Sequence, residues 1–233
     1  MTAFISADKS KNKFYLSCGK RIFDLVFAML ALMVLSPVLL IVALLVRSCL
    51  GRSVLFKQMR MGWHEKSFAI FKFRTMTNMR DNNGKLCPDE QRLTRLGAFL
   101  RKTSIDELPE LINVLKGDMS IVGPRPLFMG YLPYYTVRER LRHSVRPGIT
   151  GLSQVNGRNY LQWDKRLEMD ALYVEKMSFF LDVKIIFQTI FQVLKTKNVV
   201  VLPGTVSTYL SDYREKQKEK KSWLIEHGGE NGA

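Results

Sequence analysis

Cysteine and histidine are both scarce. The 233-residue chain has three cysteines, Cys18, Cys49 and Cys87, and three histidines, His64, His143 and His227. Three widely spaced thiols make no disulfide framework and are compatible with a reducing cytosol. No histidine lies at ligand spacing from another or from a cysteine, which argues against a zinc site. Neither G-x-x-x-x-G-K-[ST] nor G-x-G-x-x-G occurs, so the standard phosphate and dinucleotide loops are absent. Acidic residues are outnumbered, 21 against 36 basic, giving a net charge of +15. The partners are therefore expected to be anionic: nucleic acid, an anionic membrane surface or a phosphorylated substrate. At 46% hydrophobic residues the chain is too apolar for a disordered basic tail. There is no internal repeat and a single long apolar run.

That run covers residues 22–46, IFDLVFAMLALMVLSPVLLIVALLV. As a straight helix it would measure about 37 Å, enough to cross a hydrocarbon core of about 30 Å. Ser36-Pro37 interrupts it. Proline removes a backbone hydrogen bond and crowds the preceding turn, so a kink or break is expected, leaving arms of about 21 and 15 Å, each too short to span. Basic residues flank both ends: Lys9, Lys11, Lys13, Lys20 and Arg21 before, Arg47, Arg52, Lys57 and Arg60 after. Positive flanks stay cytoplasmic, so a re-entrant helix that enters and leaves by one face satisfies both ends. A signal-anchor span with one misplaced basic end stays open, because proline is tolerated in true spans. No A-x-A-like cleavage site follows. Asp24, inside the run, needs a partner such as Lys20 or Arg21.

Residues 53–76 read as two strands around MGWHEK, with Lys72 and Arg74 on one face of the second. That face is either solvated or phosphate-binding. QRLTRLGAFLRK (91–102) places Leu93, Leu96 and Leu100 on one side of a basic amphipathic helix, fit for a membrane surface or for ordinary packing. LPELINVLKG (108–117) is a helix closed by Gly117. In GPRPL (123–127) two prolines stiffen the backbone around Arg125, lowering the entropy lost when that arginine binds phosphate. VRPGITGLSQVNGRN (145–159) is turn-rich and can present Gln154, Asn156 and Arg158 to a ligand. Residues 182–197 suggest a helix with Asp182 as N-cap and an apolar stripe of Val183, Ile186, Phe187, Ile190 and Leu194, facing core or membrane. The C-terminal tail is highly charged and carries no evident chemistry.

The acidic pair in TSIDELPEL (103–111) has two readings. As a capping box, Ser104 is N-cap and Glu107 is N3, but Pro109 then clashes inside the helix. With Asp106 as N-cap, Pro109 falls in the first turn, where its missing N–H costs nothing. That places Asp106 and Glu107 at a helix mouth, where the dipole favours an ionised carboxylate by about 0.3–1 kcal/mol. An ionised carboxylate can attack phosphorus, and a neighbouring Glu can hold Mg²⁺. Glu110 reads as an ordinary polar helix residue.

Together KRIFD (20–24), the Ser36-Pro37 pair, KFRTM (72–76), SIDELPEL (104–111), NVLKGDMSIVGPRPL (113–127), RHSVRPGITG (142–151) and QVNGRN (154–159) resemble the bacterial sugar transferase family, the monotopic phosphoglycosyl transferases. The resemblance covers about residues 18–200. It implies an α+β, mostly helical fold with an N-terminal re-entrant, Ser-Pro kinked membrane helix, a small β-hairpin and amphipathic interfacial helices around the active site. The implied layout is a basic segment 1–17, membrane helix 18–50, catalytic domain 51–202 and charged tail 203–233. The implied reaction moves a phosphosugar from a UDP-sugar to polyprenol (undecaprenyl) phosphate and releases UMP. Asp106 is the implied nucleophile, Glu107 a Mg²⁺ ligand, Arg125 a phosphate-binding group and Asp170 an acid near the site. Lys72, Arg74, Gln154, Asn156 and Arg158 are further expected contacts to substrate. The implied place is the cytoplasmic face of a bacterial inner membrane, in contact with lipid, with no nucleic acid; a homodimer is left open. Where the family usually has Trp-Ala before QVNGRN, this chain has Leu152-Ser153, putting substrate contacts or membrane insertion there in question. PLFMGYLPYY (126–135) resembles members that use a bacillosamine-type sugar.

Two other classes are weaker. A membrane-tethered nucleic-acid binder would need aromatics interleaved with a basic groove, and none is evident. Multi-span prenyl-phosphate transferases need many apolar helices, and the D-x-x-D-G-x-x-A-R motif of CDP-alcohol transferases is absent.

Overall fold

A computed structural model describes residues 15–157, 161–195 and 209–227. The architecture is mostly helical, with two small two-stranded sheets. The order is α1 (Lys20–Leu50), β1 (Leu55–Met61), β2 (Ser67–Phe73), α2 (Arg95–Thr103), α3 (Glu110–Lys116), β3 (Ser120–Val122), β4 (Gly148–Thr150), α4 (Trp163–Lys176), α5 (Phe179–Leu194) and α6 (Leu210–His227), with shorter turns between them.

Helix α1 runs without interruption through Pro37. Proline leaves the carbonyl four residues back, that of Met33, without its helical donor. The Ser36 hydroxyl donates to that carbonyl at 2.8 Å, so the serine makes good the bond the proline removes. At 31 residues α1 is about 46 Å long, and it is the one helix among the described residues long and apolar enough to cross a membrane.

Both ends of α1 pack on the same globular body. At its start, Lys20 pairs with Asp182 of α5 at 2.6 Å, and Arg21 donates to the carbonyls of Val114 and Leu115 at the end of α3. Asp24 is buried and accepts from the backbone N–H of Ile121, not from the neighbouring cations. Ala28 enters the main core beside Phe68, Ile70, Leu111 and Val122. At its end, Val42, Val46 and Leu50 pack with Phe73 and Leu100. Between them, Met33, Val34, Leu40 and Ile41 are exposed.

The expected hairpin is present. β1 and β2 pair antiparallel from Leu55↔Phe73 to Met61↔Ser67. Helix α3 docks along β2 through Asn113, whose amide donates to the Ala69 carbonyl while its oxygen accepts from the Phe71 N–H. Gly117 closes α3 at φ 91°, the left-handed cap the sequence predicts. The short parallel pair β3–β4 has no counterpart among the sequence expectations. Three-residue strands carry too little period-2 pattern to read.

Two helix readings change, and the direction of the α5 stripe is decided. The 91–102 stretch does not form one helix: Thr94 caps α2 by accepting from Gly97 N–H, leaving Leu93 outside it. Ser178, not Asp182, caps α5, accepting from Leu181 N–H. Asp182 is instead a buried hub that accepts from Tyr15, Lys20 and Tyr173. Of the α5 stripe, Phe187, Ile190 and Leu194 face outward and are exposed, while Ile186 packs on the main core beside the buried Ile185 and Asp182. Helix α6 docks Leu210 into an aromatic cluster with Tyr131, Tyr135 and Trp163. Beside it, Arg214 pairs with Asp164 and Glu139.

Candidate active site

Asp106 and Glu107 lie on a single 3-10 turn, Ile105–Glu107, between α2 and α3. Ser104 closes α2 in the left-handed region at φ 58° and makes no side-chain cap, so the capping box is absent. The turn is held by Glu107 N–H to the Ser104 carbonyl and Leu108 N–H to the Ile105 carbonyl, both 3.2 Å. Helix α3 begins only at Glu110, with Pro109 just before it. The acids therefore stand one turn ahead of the helix, rather than with Asp106 as its N-cap. Proline still accounts for the boundary, since it has no N–H to give a helix already under way.

Lys72 shares its β2 face with Phe68 and Ile70 and so points inward under α3. Its ammonium lies 2.5 Å from Glu107 Oε1 and 3.2 Å from Glu110 Oε1. Arg125 reaches the same Glu107 oxygen at 2.7 Å. Burial disfavours charge on Glu107, but Arg125 and Lys72 outweigh it and hold that carboxyl well below the usual range. Asp106 is pushed up to about 6 by burial and by the negative charge of Glu107, against the pull of Lys72, Arg101 and Arg125. The two adjacent acids thus differ: Glu107 is locked ionised, while Asp106 is a buried carboxyl only modestly committed to its charge.

Arg125 sits between β3 and β4, where the chain is unusually tight. A Cβ on Gly123 would stand 2.5 Å from the Arg146 carbonyl oxygen, so only glycine lets the two segments close. Gly148 N–H donates to the Pro124 carbonyl, and Arg142 donates to that of Arg125 at 2.6 Å. The backbone on both sides of Arg125 is thereby fixed, as the two prolines suggested.

Several expected contacts lie elsewhere. Arg74 is past the end of β2 and donates to the carbonyls of Leu50 and Met76, capping the end of α1 rather than joining Lys72. Asp170 pairs inside the protein with Arg142 at 2.9 Å and accepts from Ser153 at 2.8 Å. Through Arg142, which donates to the Arg125 carbonyl, it is linked to the site. Gln154 and Asn156 donate to the nearby carbonyls of Ile149 and Leu152. Arg158 lies outside the described residues. The Leu152-Ser153 departure faces inward: Leu152 packs on the main core and Ser153 serves Asp170.

Sequence reasoning passed over four groups. Glu110 is 2% exposed, and burial together with the charge of Glu107 pushes it up to about 7 despite Lys72. It is a member of the cluster, not an ordinary surface residue. Its spacing of three from Glu107 was the only signal. Arg60, stacked 3.8 Å from the Phe128 ring centre, lies near Arg125. Arg101, bonded to Thr75, approaches Asp106. Arg142 anchors Asp170. All three come from distant segments, so no local pattern marks them.

The raised Glu110 carboxyl has a consequence for stability. A carboxyl whose folded pKa exceeds its unfolded value binds its proton more tightly when folded, so the stability it lends at low pH is lost as pH rises from about 4.5 to 7. Glu110→Gln should therefore stabilise the protein at pH 8, by about 3 kcal/mol, and much less at pH 5. Thermal unfolding at the two pH values checks this; an equal shift at both would refute it.

Among the described residues no three His, Cys, Asp or Glu side chains gather as a metal site. What the arrangement offers is a buried carboxylate beside a cation-clamped partner, in a pocket of arginine and lysine suited to a phosphorylated ligand.

The sequence matches the bacterial sugar transferase family over residues 15–196. It is 53% identical over 180 residues to an uncharacterized sugar transferase, EpsL, of Bacillus subtilis (strain 168), covering 77% of this chain and 89% of that one. It is 42% identical over 184 residues to a UDP-glucose:undecaprenyl-phosphate glucose-1-phosphate transferase of Klebsiella pneumoniae, covering 74% of this chain but 39% of that longer protein. It is 38% identical over 189 residues to the exopolysaccharide production protein ExoY of Rhizobium meliloti (strain 1021), covering 74% and 84%.

Proposed function

The chain belongs to the bacterial sugar transferase family, and on that premise we propose that it transfers a sugar phosphate from a UDP-sugar to polyprenol phosphate, releasing UMP. The observation that carries the reading is the Asp106–Glu107 turn, with Glu107 clamped by Lys72 and Arg125 and Asp106 buried beside it. In the first step an Asp106 carboxylate oxygen bonds to the sugar-bearing phosphorus and the P–O bond to UMP breaks, the electron pair leaving with UMP. In the second, a phosphate oxygen of polyprenol phosphate attacks the same phosphorus, the aspartyl–P bond breaks, and the carboxylate is regenerated. Arg125, on its stiff backbone, orients and neutralises the phosphoryl oxygens, with Lys72 behind it. Burial keeps water from the acyl phosphate.

Mg²⁺ fits this donor set in one way. No three-ligand cluster lies among the described residues, but Mg²⁺ commonly takes one or two carboxylates plus substrate phosphates. Glu107 and Asp106 supply such oxygens. When bound, the ion would add charge stabilisation to the diphosphate.

We read α1 as re-entrant, with the catalytic body on the cytoplasmic face of the inner membrane. What supports this is that Arg21, Asp24 and Ala28 at one end of α1, and Val46 and Leu50 at the other, meet the same body, while the apolar Met33, Val34, Val38, Leu40 and Ile41 between them are exposed. A straight span would put its two ends about 30 Å apart across the hydrocarbon core. Exposed Phe180, Phe187, Phe191 and Leu194 on α5 favour an interfacial position for that helix. Cys18 and Cys49 are both exposed at opposite ends of α1. In a Cys87→Ser background, an impermeant thiol reagent should label both from the cytoplasmic side of oriented vesicles; labelling from opposite sides refutes re-entrance.

Of the relatives above, the one whose name prints a sugar prints glucose, while the bacillosamine-type alternative rests on residues 126–135 alone. A panel of UDP-sugars, scored for UMP release with polyprenol phosphate in Mg²⁺ and in EDTA, tests the reading. Release should be fast for one sugar, abolished in EDTA, and matched by lipid-linked product. No UMP from any UDP-sugar would overturn it, and full turnover in EDTA would remove the metal.

A further inference from the structure

Behind Arg125 lies a small cleft of about 10 Å³, room for one water-sized group, walled by Met61, Gly62, Pro124, Arg125 and Pro147 and by two residues that take no direct part in the transfer, Arg142 and His143. Both are more than nine-tenths buried. Each carries one buried nitrogen with no hydrogen-bond partner among the described residues, Arg142 Nε and His143 Nε2. Every other polar atom of the pair is used. Arg142 donates to Tyr135, Asp170 and the Arg125 carbonyl. His143 Nδ1 lies 3.2 Å from the Gly62 carbonyl.

Those bonds decide what the two nitrogens can accept. The Gly62 carbonyl can only accept, so Nδ1 carries the proton. Burial and the adjacent Arg142 charge hold the imidazole down to about 4, so it is neutral at physiological pH. Nε2 is then a lone pair seeking a donor, while Arg142 Nε–H is a donor seeking an acceptor. A phosphate oxygen would satisfy the arginine but oppose the lone pair. An ammonium would satisfy the lone pair but not the arginine. A hydroxyl does both. The cleft adjoins Arg125, the group that faces phosphate in the reading above.

We propose that this cleft is a hydroxyl-recognition subsite for the sugar-nucleotide donor, in which Arg142 Nε–H donates to one hydroxyl of the donor and that hydroxyl donates to His143 Nε2. The proposal rests on the UDP-sugar reading. The hydroxyl belongs either to the hexose or to the ribose, both of which flank the diphosphate. A site built to bond a hydroxyl rejects the analogue lacking it, because its own buried groups are left unpaired.

The test is a set of donors each missing one hydroxyl: monodeoxy forms of the preferred UDP-sugar and its 2′- and 3′-deoxyribose forms. Each is compared with the parent by kcat/KM for UMP release. With the wild-type protein one of them should fall by about tenfold or more. A deoxyhexose places the hexose in the cleft, a deoxyribose the nucleoside. In His143→Phe, which keeps the ring against Tyr135, the parent donor should drop to the level of that analogue, and the analogue itself should change little. His143→Gln, which keeps an acceptor, should restore part of the difference. If every deoxy donor stays within about twofold of the parent in the wild type, an ordered water fills the cleft and the proposal is overturned, whether or not the Phe variant folds. It is equally overturned if His143→Phe lowers all donors alike with the penalty intact. Absence of UMP release from every parent UDP-sugar is a different result: it removes the donor reading, and the subsite with it.

Discussion

Asp106→Asn should abolish turnover, with a loss on the order of a thousandfold or more, as expected when a covalent nucleophile is removed. The asparagine keeps the size of the side chain and loses only the anionic oxygen, so the turn Ile105–Glu107 and the clamp on Glu107 should persist. The wild-type protein given UDP-sugar alone should release about one UMP per chain and retain sugar-phosphate mass on the peptide containing Asp106; the variant should do neither. Full activity in Asp106→Asn, or UMP release only when polyprenol phosphate is present, would exclude the two-step route. The same group sets a pH limb. Burial and Glu107 raise Asp106 to about 6, so the rate of the UMP burst should fall as pH drops through that value and the carboxylate becomes protonated. A burst rate flat from pH 5 to 8 would contradict this.

Lys72→Met should be the most destabilising single change in the site, by about 3 kcal/mol. Lys72 bridges Glu107 and Glu110, and all three side chains are less than one-fifth exposed. Removing it leaves one buried carboxylate with Arg125 alone and another with no cation in bonding reach. Without the lysine both carboxyls take their protons more readily in the folded state, so the deficit should be smallest near pH 5 and grow toward pH 8. Adding Glu110→Gln should recover part of the loss by removing one of the stranded charges. Thermal unfolding of the single and double variants across that range decides the matter. A deficit independent of pH would mean that Lys72 acts by packing its alkyl chain.

Much of the fold was legible because its signals are local. The hairpin follows from two β-rich runs around a turn, and the end of α3 from Gly117. Pro109 correctly ruled out the capping box, but it did not reveal that the acids sit on a separate 3-10 turn, because one residue without an N–H marks a boundary and not what precedes it. The outward stripe of α5 and the inward pair Leu152-Ser153 were undecidable for a related reason: a periodic pattern tells which residues share a face, and only packing tells which way the face points.

The sequence by itself determined the chemistry present: an acid pair next to a proline, a stiffened arginine, a long apolar run interrupted by Ser36-Pro37, and motifs in the order of one family. The tertiary structure decided which of those groups meet. Lys72, Glu107 and Arg125 converge because α3 is pinned to β2 by Asn113 and because β3 and β4 close over Gly123, contacts between segments tens of residues apart. It moved Arg74 to the end of α1 and Asp170 to Arg142, and it brought Glu110 into the cluster. Charge state was decided there as well. Burial and neighbouring charge depend on the whole surround of a group, so adjacent carboxyls of nearly equal intrinsic acidity could be driven apart, one locked as an anion and the other left to titrate.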